Sequence, residues 1–501
     1  MDIFGGYVNK SADAPAISRV HMLGINGISM SGLSELLLHM GYSVSGSDIN
    51  LSERTRRLEA MGATIFEGNR ADNIKDGKQD IVVYTSAIRR GNPELERAIE
   101  IGAICIERAV LLGLITSNYS KSIAVSGSHG KTTTTSMITE ILMRAGYDPS
   151  AHIGAEYSPI GGATRLGSSD YFVTEACEYR ESFLRLRPYI AVITNVELDH
   201  VDYYRDISHL KEAFRTFATQ VPAGGFVVAN GDDQNSLDIY SRLPTNEKEK
   251  WLLFGMNENS QSTCSVYVEN LEFDSNYCGV FELCFGGGAS GFGSVKRRAS
   301  KSDDSSAKHR IKVHLNTPGA HNVYNALAAA ATCHVAGCAS THICNGLSAF
   351  NGAQKRFERK GVFRGMTIID DYAHHPSEIK YALETGRKIT SSSKLICVFQ
   401  PHTYSRTEYF MDELAEALKI ADITVLADIF SAREKDPGDV NSGILADRIV
   451  QMGGNAIHIG GGFDKIAKYV SEKGAPGDVV ITMGAGESVK VADILLSGDN
   501  I

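Results

Sequence analysis

The chain has 501 residues, 43% of them hydrophobic and 22% charged, with a formal net charge of −9. That length exceeds what one hydrophobic core serves and suggests about three domains. The acidic balance argues against a general nucleic-acid binder, and the basic cluster VKRRASK is too short to reverse it. Nine cysteines with no C-x-x-C pair read as reduced thiols. The opening MDIFGGYVNKSADAPAISRV has no apolar h-region, and no run approaches a membrane span, so a cytoplasmic location without membrane insertion is expected.

In chain order, VHMLGI reads as a strand, LSELLLHMG as a helix and YSVSGSD as a second strand. RTRRLEAMG, TIFEG, DIVVYTSAI, NPELERAIEIG and ICIERAVLLGLIT continue the alternation, which predicts a parallel sheet with covering helices up to about Ser117. The first turn, Gly24 to Gly32, resembles a dinucleotide fingerprint with Asp48 ending the next strand. In that register Asn26 and Ser29 stand where the second and third glycines belong. The turn therefore reads equally as a ligand site or as a plain strand-helix connection. Asn26 suits the left-handed conformation, and a diphosphate fits the helix N-terminus.

The second alternating region opens with SIAVSGSHGKTTTT, an apolar run, a glycine turn and the helical SMITEILMRAG. Successive N–H groups of Gly127, Ser128, His129 and Gly130 in such a turn surround phosphate oxygens. Lys131 then reaches the terminal phosphates and Thr132 holds Mg²⁺. Val125 occupies the place of the glycine in the common eight-residue loop, leaving a shorter G-x-x-G-K-T turn. A nucleoside triphosphate is the expected ligand.

YFVTEA, YIAVITNV and GGFVVAN follow as strands, and SVYVENLEF and GVFELCF alternate as antiparallel strands do. Gly286 to Arg310 is rich in Gly, Ser and charge and is expected to be a loop. HNVYNALAAAATCHVAG is strongly helical, and from about Asn351 MTIIDDYA, KLICVFQP, ITVLADIF and DVVITMGAG alternate with helices in another doubly wound pattern. Glu175, His200, Asp370, Asp371, His374, His375, His402 and Arg406 all follow apolar strands, where α/β sheets place ligands. Glu175 and His200 suit a divalent cation. Adjacent His374 and His375 rarely both reach one ion, so capping and substrate-orienting roles are preferred for them. Cys177 has no partner pattern of a thiol nucleophile.

SGSHGKTTTT, EACEYRESF, TNVELDH, HNVYNALAA, RFE, DDYAHHPSE and FQPHTYSRT resemble the Mur ligase family in order and spacing. GINGISMSG, DIFSAREKDPG and TMGAG extend the resemblance over nearly the whole chain. It implies an α/β fold of three domains: a Rossmann-like UDP-sugar domain (1–117), a central P-loop ATPase domain with a mixed sheet (118–350) and a C-terminal Rossmann-like domain (351–501). HHP and QPH-x-Y-x-R-T are similar to the family's alanine-adding branch. The implied reaction is attack of the lactyl carboxylate of UDP-N-acetylmuramate on ATP, giving an acyl phosphate that the amine of L-alanine then opens.

The resemblance also implies roles for individual residues. Lys131, Glu175, His200, His375 and Arg406 would be catalytic, with Thr132, Glu175 and His200 holding Mg²⁺ or Mn²⁺. Gly127, Ser128, His129, Gly130, Lys131, Thr132, Thr133, His321, Asn322, Asn325, Arg356 and Asp371 would bind ATP. Gly27, Ile28, Ser29, Met30, Asp48 and Ser86 would bind the UDP-sugar, and His375, His402 and Arg406 the amino acid. A monomer or homodimer is expected. Asn26, Glu487 and the run Gln354-Lys355-Arg356, with one arginine fewer, depart from the family's commonest forms without removing a central group. A ligase that recycles a preformed tripeptide, and a nucleotide-binding protein without turnover, are the competing readings.

Overall fold

The computed structural model describes residues 3–4, 18–75, 81–85, 87–88, 91–286, 309–390, 392–432 and 434–498. Three sheets are laid out along the chain. The first has five parallel strands in the order Thr64–Glu67, Ser43–Asp48, Arg19–Leu23, Ile81–Tyr84, Ile104–Glu107. Its central strands, RVHML and IVVY, are short and mostly buried runs, as parallel strands covered by helices on both faces are, while the edge strand TIFE is half-exposed. Local chemistry sets the helix starts: Ser52 and Thr55 form a capping box, and Asn92 caps Pro93–Glu100, whose first residue is the proline.

The second sheet has ten strands. From one edge they run His309–Pro318, Cys278–Phe285, Val266–Phe273, Trp251–Gly255, Phe226–Asn230, Ile190–Ile193, Lys121–Ser126, Tyr171–Glu175, Ser150–Tyr157 and Gly162–Arg165. Seven strands, from Val266–Phe273 to Ser150–Tyr157, are mutually parallel, while the two at one edge and the one at the other pair antiparallel. The sheet is thus mixed. The loop expected from Gly286 to Arg310 ends earlier, since His309 and Arg310 already pair in a strand; residues 287–308 lie outside the described residues. The charge at Arg310 reads as loop composition, although its alternation with the apolar residues of RIKVHL suits an edge strand.

The third sheet has six strands: Glu358–Phe363, Met366–Asp371, Val479–Met483, Leu395–Phe399, Ile423–Leu426 and Ala456–His458, with the first antiparallel to its neighbour and the rest parallel. Its two faces carry separate cores, around Leu383, Phe399 and Leu414 on one side and Val398, Val470 and Val491 on the other.

The junctions differ in character. The first sheet's core runs without interruption into the central region, where Leu111, Leu112 and Ile115 share a cluster with Phe183, Leu186 and Phe214. Against the C-terminal cores, the central region contributes Val201, and the remaining cross-contacts described below are polar.

Candidate active site

The helix Lys131–Arg144 lies buried from Thr132 to Leu142, with Ile138, Ile141 and Leu142 sharing a core with Ala326 to Ala331 of the alanine-rich helix Ala320–Val335. Its entry turn demands glycine twice. Gly127 has φ +138 and a Cβ there would overlap Thr194; Gly130 has φ +82 and a Cβ would overlap Asn325. Thr194 and Asn195 of the neighbouring strand end anchor the turn, since both side chains donate to the His129 carbonyl.

Where the strands of the central and C-terminal sheets end, a cleft of about 740 Å³ opens. Ser128, Gly130, Lys131, Thr132, Glu175, His200, Arg356, His402 and Arg406 line it, joined by Ile28 from the first sheet's turn. Arg356 donates to the Thr132 hydroxyl at 3.1 Å, linking the C-terminal region to the P-loop helix.

Lys131 is not free. Its Nζ donates to the Ser128 carbonyl at 3.1 Å and to Glu178 at 3.0 Å. Burial disfavours the charged ammonium, yet the Glu178 carboxylate outweighs this and raises its pKa. Glu178 also lies 3.5 Å from His200 Nε2, so one buried carboxylate joins two predicted catalytic groups. Glu175, by contrast, accepts from the Gly154 N–H at 2.6 Å. Glu178 was missed in the sequence, although it stands three residues after Glu175 in the same segment.

Asp199, the neighbour of His200, is the second missed residue. One of its oxygens accepts from Arg406 Nε at 3.1 Å and Nη2 at 2.8 Å. Burial would raise its pKa, but the Arg406 guanidinium holds it well below the usual carboxylate range. Arg406 Nη1 lies 2.9 Å from His402 Nδ1. Burial, with His374 and Arg406 nearby, lowers His402 to about 3, so this imidazole is neutral. His200 and Thr403, both lining the cleft, hold left-handed φ values of 53° and 66°. Such strain persists only where surrounding contacts impose it.

His129 and His375, expected to bind ATP and the amino acid, are not among the residues lining the cleft and face one another at 4.7 Å between ring centroids. His375 Nε2 lies 3.2 Å from the Leu198 carbonyl, while His374 Nδ1 lies 2.9 Å from the Tyr372 carbonyl, so the adjacent histidines point to different partners. Asp371 accepts from Phe357 N at 2.7 Å and Ala373 N at 2.6 Å, and burial raises it to about 7 despite Arg356. Asn325 donates to Asn322, while its carbonyl oxygen accepts from Thr134, one residue after the buried Thr133. Burial lowers His321 to about 4.

At the first turn the left-handed position is Gly24, φ +78, not Asn26, whose backbone N–H instead donates to Asp48 at 3.0 Å. The reason is local: Gly24 sits where the strand turns, and the Asp48 carboxylate pins Asn26, two residues on. Gly27 precedes the helix Ile28–His39, in which Met30 is buried. The Ser29 hydroxyl lies 2.9 Å from both Arg108 Nη1 and His152 Nε2. Ser86 lies outside the described residues.

Residues 19–120, 125–333 and 355–486 match, in turn, the Mur ligase family catalytic domain, the Mur ligase middle domain and the Mur ligase glutamate ligase domain. The UDP-N-acetylmuramate--L-alanine ligase of Acetivibrio thermocellus is 44% identical over 97% of this chain and 97% of its own. That of Caldanaerobacter subterraneus is 42% identical over 97% and 98%. Among solved structures, the UDP-N-acetylmuramate-alanine ligase of Thermotoga maritima superposes with a TM-score of 0.76 at 24% identity, covering 96% of this chain and 98% of its own. A murein peptide ligase of Psychrobacter arcticus gives 0.69 at 25% identity, covering 97% and 99%.

Proposed function

The chain belongs to the Mur ligase family, and from that premise we propose that it joins L-alanine to the lactyl carboxylate of UDP-N-acetylmuramate at the expense of ATP, forming ADP and phosphate for peptidoglycan precursor synthesis. The observation that carries this reading is the near end-to-end 44% identity to an alanine-adding enzyme. The cleft at the ends of the central and C-terminal sheets agrees with it.

In this reading ATP lies along the P-loop. The amides of Gly127 to Gly130 and the ammonium of Lys131 receive the phosphates, Arg356 approaches them from the C-terminal side, and Asn322, Asn325, His321 and Asp371 contact the nucleoside. The Gly27 to Met30 helix start, with Arg108 beside Ser29, receives the diphosphate of the UDP-sugar, and Asp48 completes that site. The Thr132 hydroxyl, the Glu175 carboxylate and the His200 imidazole share the cleft and suit Mg²⁺ or Mn²⁺. Such a cation, when bound, neutralises charge on the transferring phosphoryl group.

The lactyl carboxylate attacks the γ-phosphorus and ADP leaves. The alanine amine then attacks the acyl carbonyl and phosphate is expelled. Arg406 and His402, which line the cleft, hold the amino acid and the acyl centre; His375, outside the cleft lining, supports them from behind. Positioning and preorganised charge supply the rate, with no covalent enzyme intermediate. The polar seam to the C-terminal cores suits a domain that closes and reopens, keeping water from the acyl phosphate. We set the domain boundaries at 117/118 and 350/351. A nucleotide-sugar substrate and nine free thiols fit a cytoplasmic location.

The test is phosphate release with ATP, Mg²⁺ and UDP-N-acetylmuramate, adding L-alanine, glycine, L-serine or tripeptide in parallel. Release strongest with alanine is expected. Tripeptide dependence would move the protein to recycling, and silence with all four despite ATP binding would mean a chain without turnover.

A further inference from the structure

We propose that His129, Glu197 and His375 form a site for a borderline-soft divalent cation of the Zn²⁺ class, behind the cleft wall and separate from the Mg²⁺ position. Their candidate ligand atoms all lie within 4.8 Å of one another. Glu197 Oε2 is 3.2 Å from His129 Nε2 and 3.9 Å from His375 Nδ1. A tetrahedral ion about 2.0–2.1 Å from each donor sets ligand separations of roughly 3.3 Å, so the two rings need only converge on the carboxylate. None of the three residues lines the cleft.

The surroundings are those of a metal site. His129 Nδ1 lies 3.1 Å from Glu378 Oε1, His375 Nε2 lies 3.2 Å from the Leu198 carbonyl, and Glu197 Oε2 accepts from the Ser377 hydroxyl at 2.6 Å. The carboxylate beside His129 Nδ1 and the carbonyl beside His375 Nε2 occupy the outer ring nitrogens and leave His129 Nε2 and His375 Nδ1 facing Glu197. Against burial, Glu378 and Glu197 raise the His129 pKa to about 10, so on Nε2 the ion takes the place of a proton. His375 Nδ1 now accepts a long bond, 3.4 Å, from the Ser377 N–H, which the ion would replace. Two imidazoles and one carboxylate favour Zn²⁺ over Mg²⁺ and leave the fourth position to water. The ligands come from the P-loop, the loop after Ile190–Ile193 and the start of the helix Pro376–Thr390. A bound ion therefore fastens the C-terminal region to the nucleotide loop.

The full-length protein, dialysed against Zn²⁺ in excess Mg²⁺, is expected to retain one tightly bound zinc, measured by plasma mass spectrometry. His375→Gln and Glu197→Gln, each checked for a native circular dichroism spectrum, are expected to lose it. In histidine-¹⁵N-labelled wild-type protein, zinc is expected to shift Nε2 of His129 and Nδ1 of His375, and not their other nitrogens. Absence of retained zinc, equal retention in both variants through the cysteines, or unmoved histidine resonances at saturation would overturn the site. The labelled wild type decides alone if the variants do not fold.

Discussion

Arg406 places two nitrogens on a single oxygen of Asp199, at 3.1 and 2.8 Å, across 207 residues of chain. With side-chain exposures of 8% and 6%, this ion pair is buried where the central and C-terminal cores meet. Removing one member leaves an uncompensated buried charge, at a cost of about 3–5 kcal/mol. Asp199→Ala is therefore expected to lower the unfolding midpoint in a denaturant titration, with the C-terminal region separating first. An unchanged midpoint would mean that the seam does not depend on this pair.

Lys131→Ala removes the ammonium held against the P-loop carbonyls. Loss of one preorganised donor costs on the order of 10²–10³ in turnover. Steady-state phosphate release is expected to fall by that factor, with the larger share in kcat. Near-normal turnover would remove the loop from the mechanism.

Gly130→Ala adds a methyl group at φ +82, where it meets the Asn325 side chain. The left-handed conformation alone costs about 1–2 kcal/mol in an L-residue. Nucleotide affinity, read by titration calorimetry, is expected to drop at least tenfold; Gly146→Ala, at φ +76 in open space, is expected to leave it unchanged.

Asp371 predicts a pH effect. Its folded pKa of about 7 stands above the ordinary carboxyl value of 3.8, so between those values the folded state binds more protons than the unfolded one. The stability this carboxyl contributes is full below the lower value and is lost as pH rises through the upper. The difference in unfolding free energy between wild type and Asp371→Asn is expected to fall across that window, by at most about 1.4 kcal/mol per pH unit. A difference that is flat with pH would show that Asp371 titrates normally.

The alternation of strands and helices was legible because buried parallel strands are short apolar runs bounded by turns, as IAVI and VVITM are. Less legible were Ser150–Tyr157, where a histidine lies within a run buried from Ser150 to Ile153 and a glycine follows it, and His309–Pro318, whose charges hide a two-residue period. Motif positions such as Lys131 and Arg406 stood out because each follows a strand. Their partners did not. Glu178 and Glu378 matter through Lys131 and His129, and a pairing that spans 47 residues or crosses between sheets leaves no local pattern. Asp199 was adjacent to a flagged histidine, and that proximity was the one available signal.

The Lys131–Glu178 pair means that the anion-receiving loop is already neutralised before any nucleotide arrives. An incoming anion does not meet a bare ammonium; it must displace a buried carboxylate. A singly or doubly charged ion such as chloride or sulfate offers too little in exchange, whereas a triphosphate also engages the loop amides. The resting loop thus acts as a threshold that sorts anions by charge and reach before base or sugar is touched.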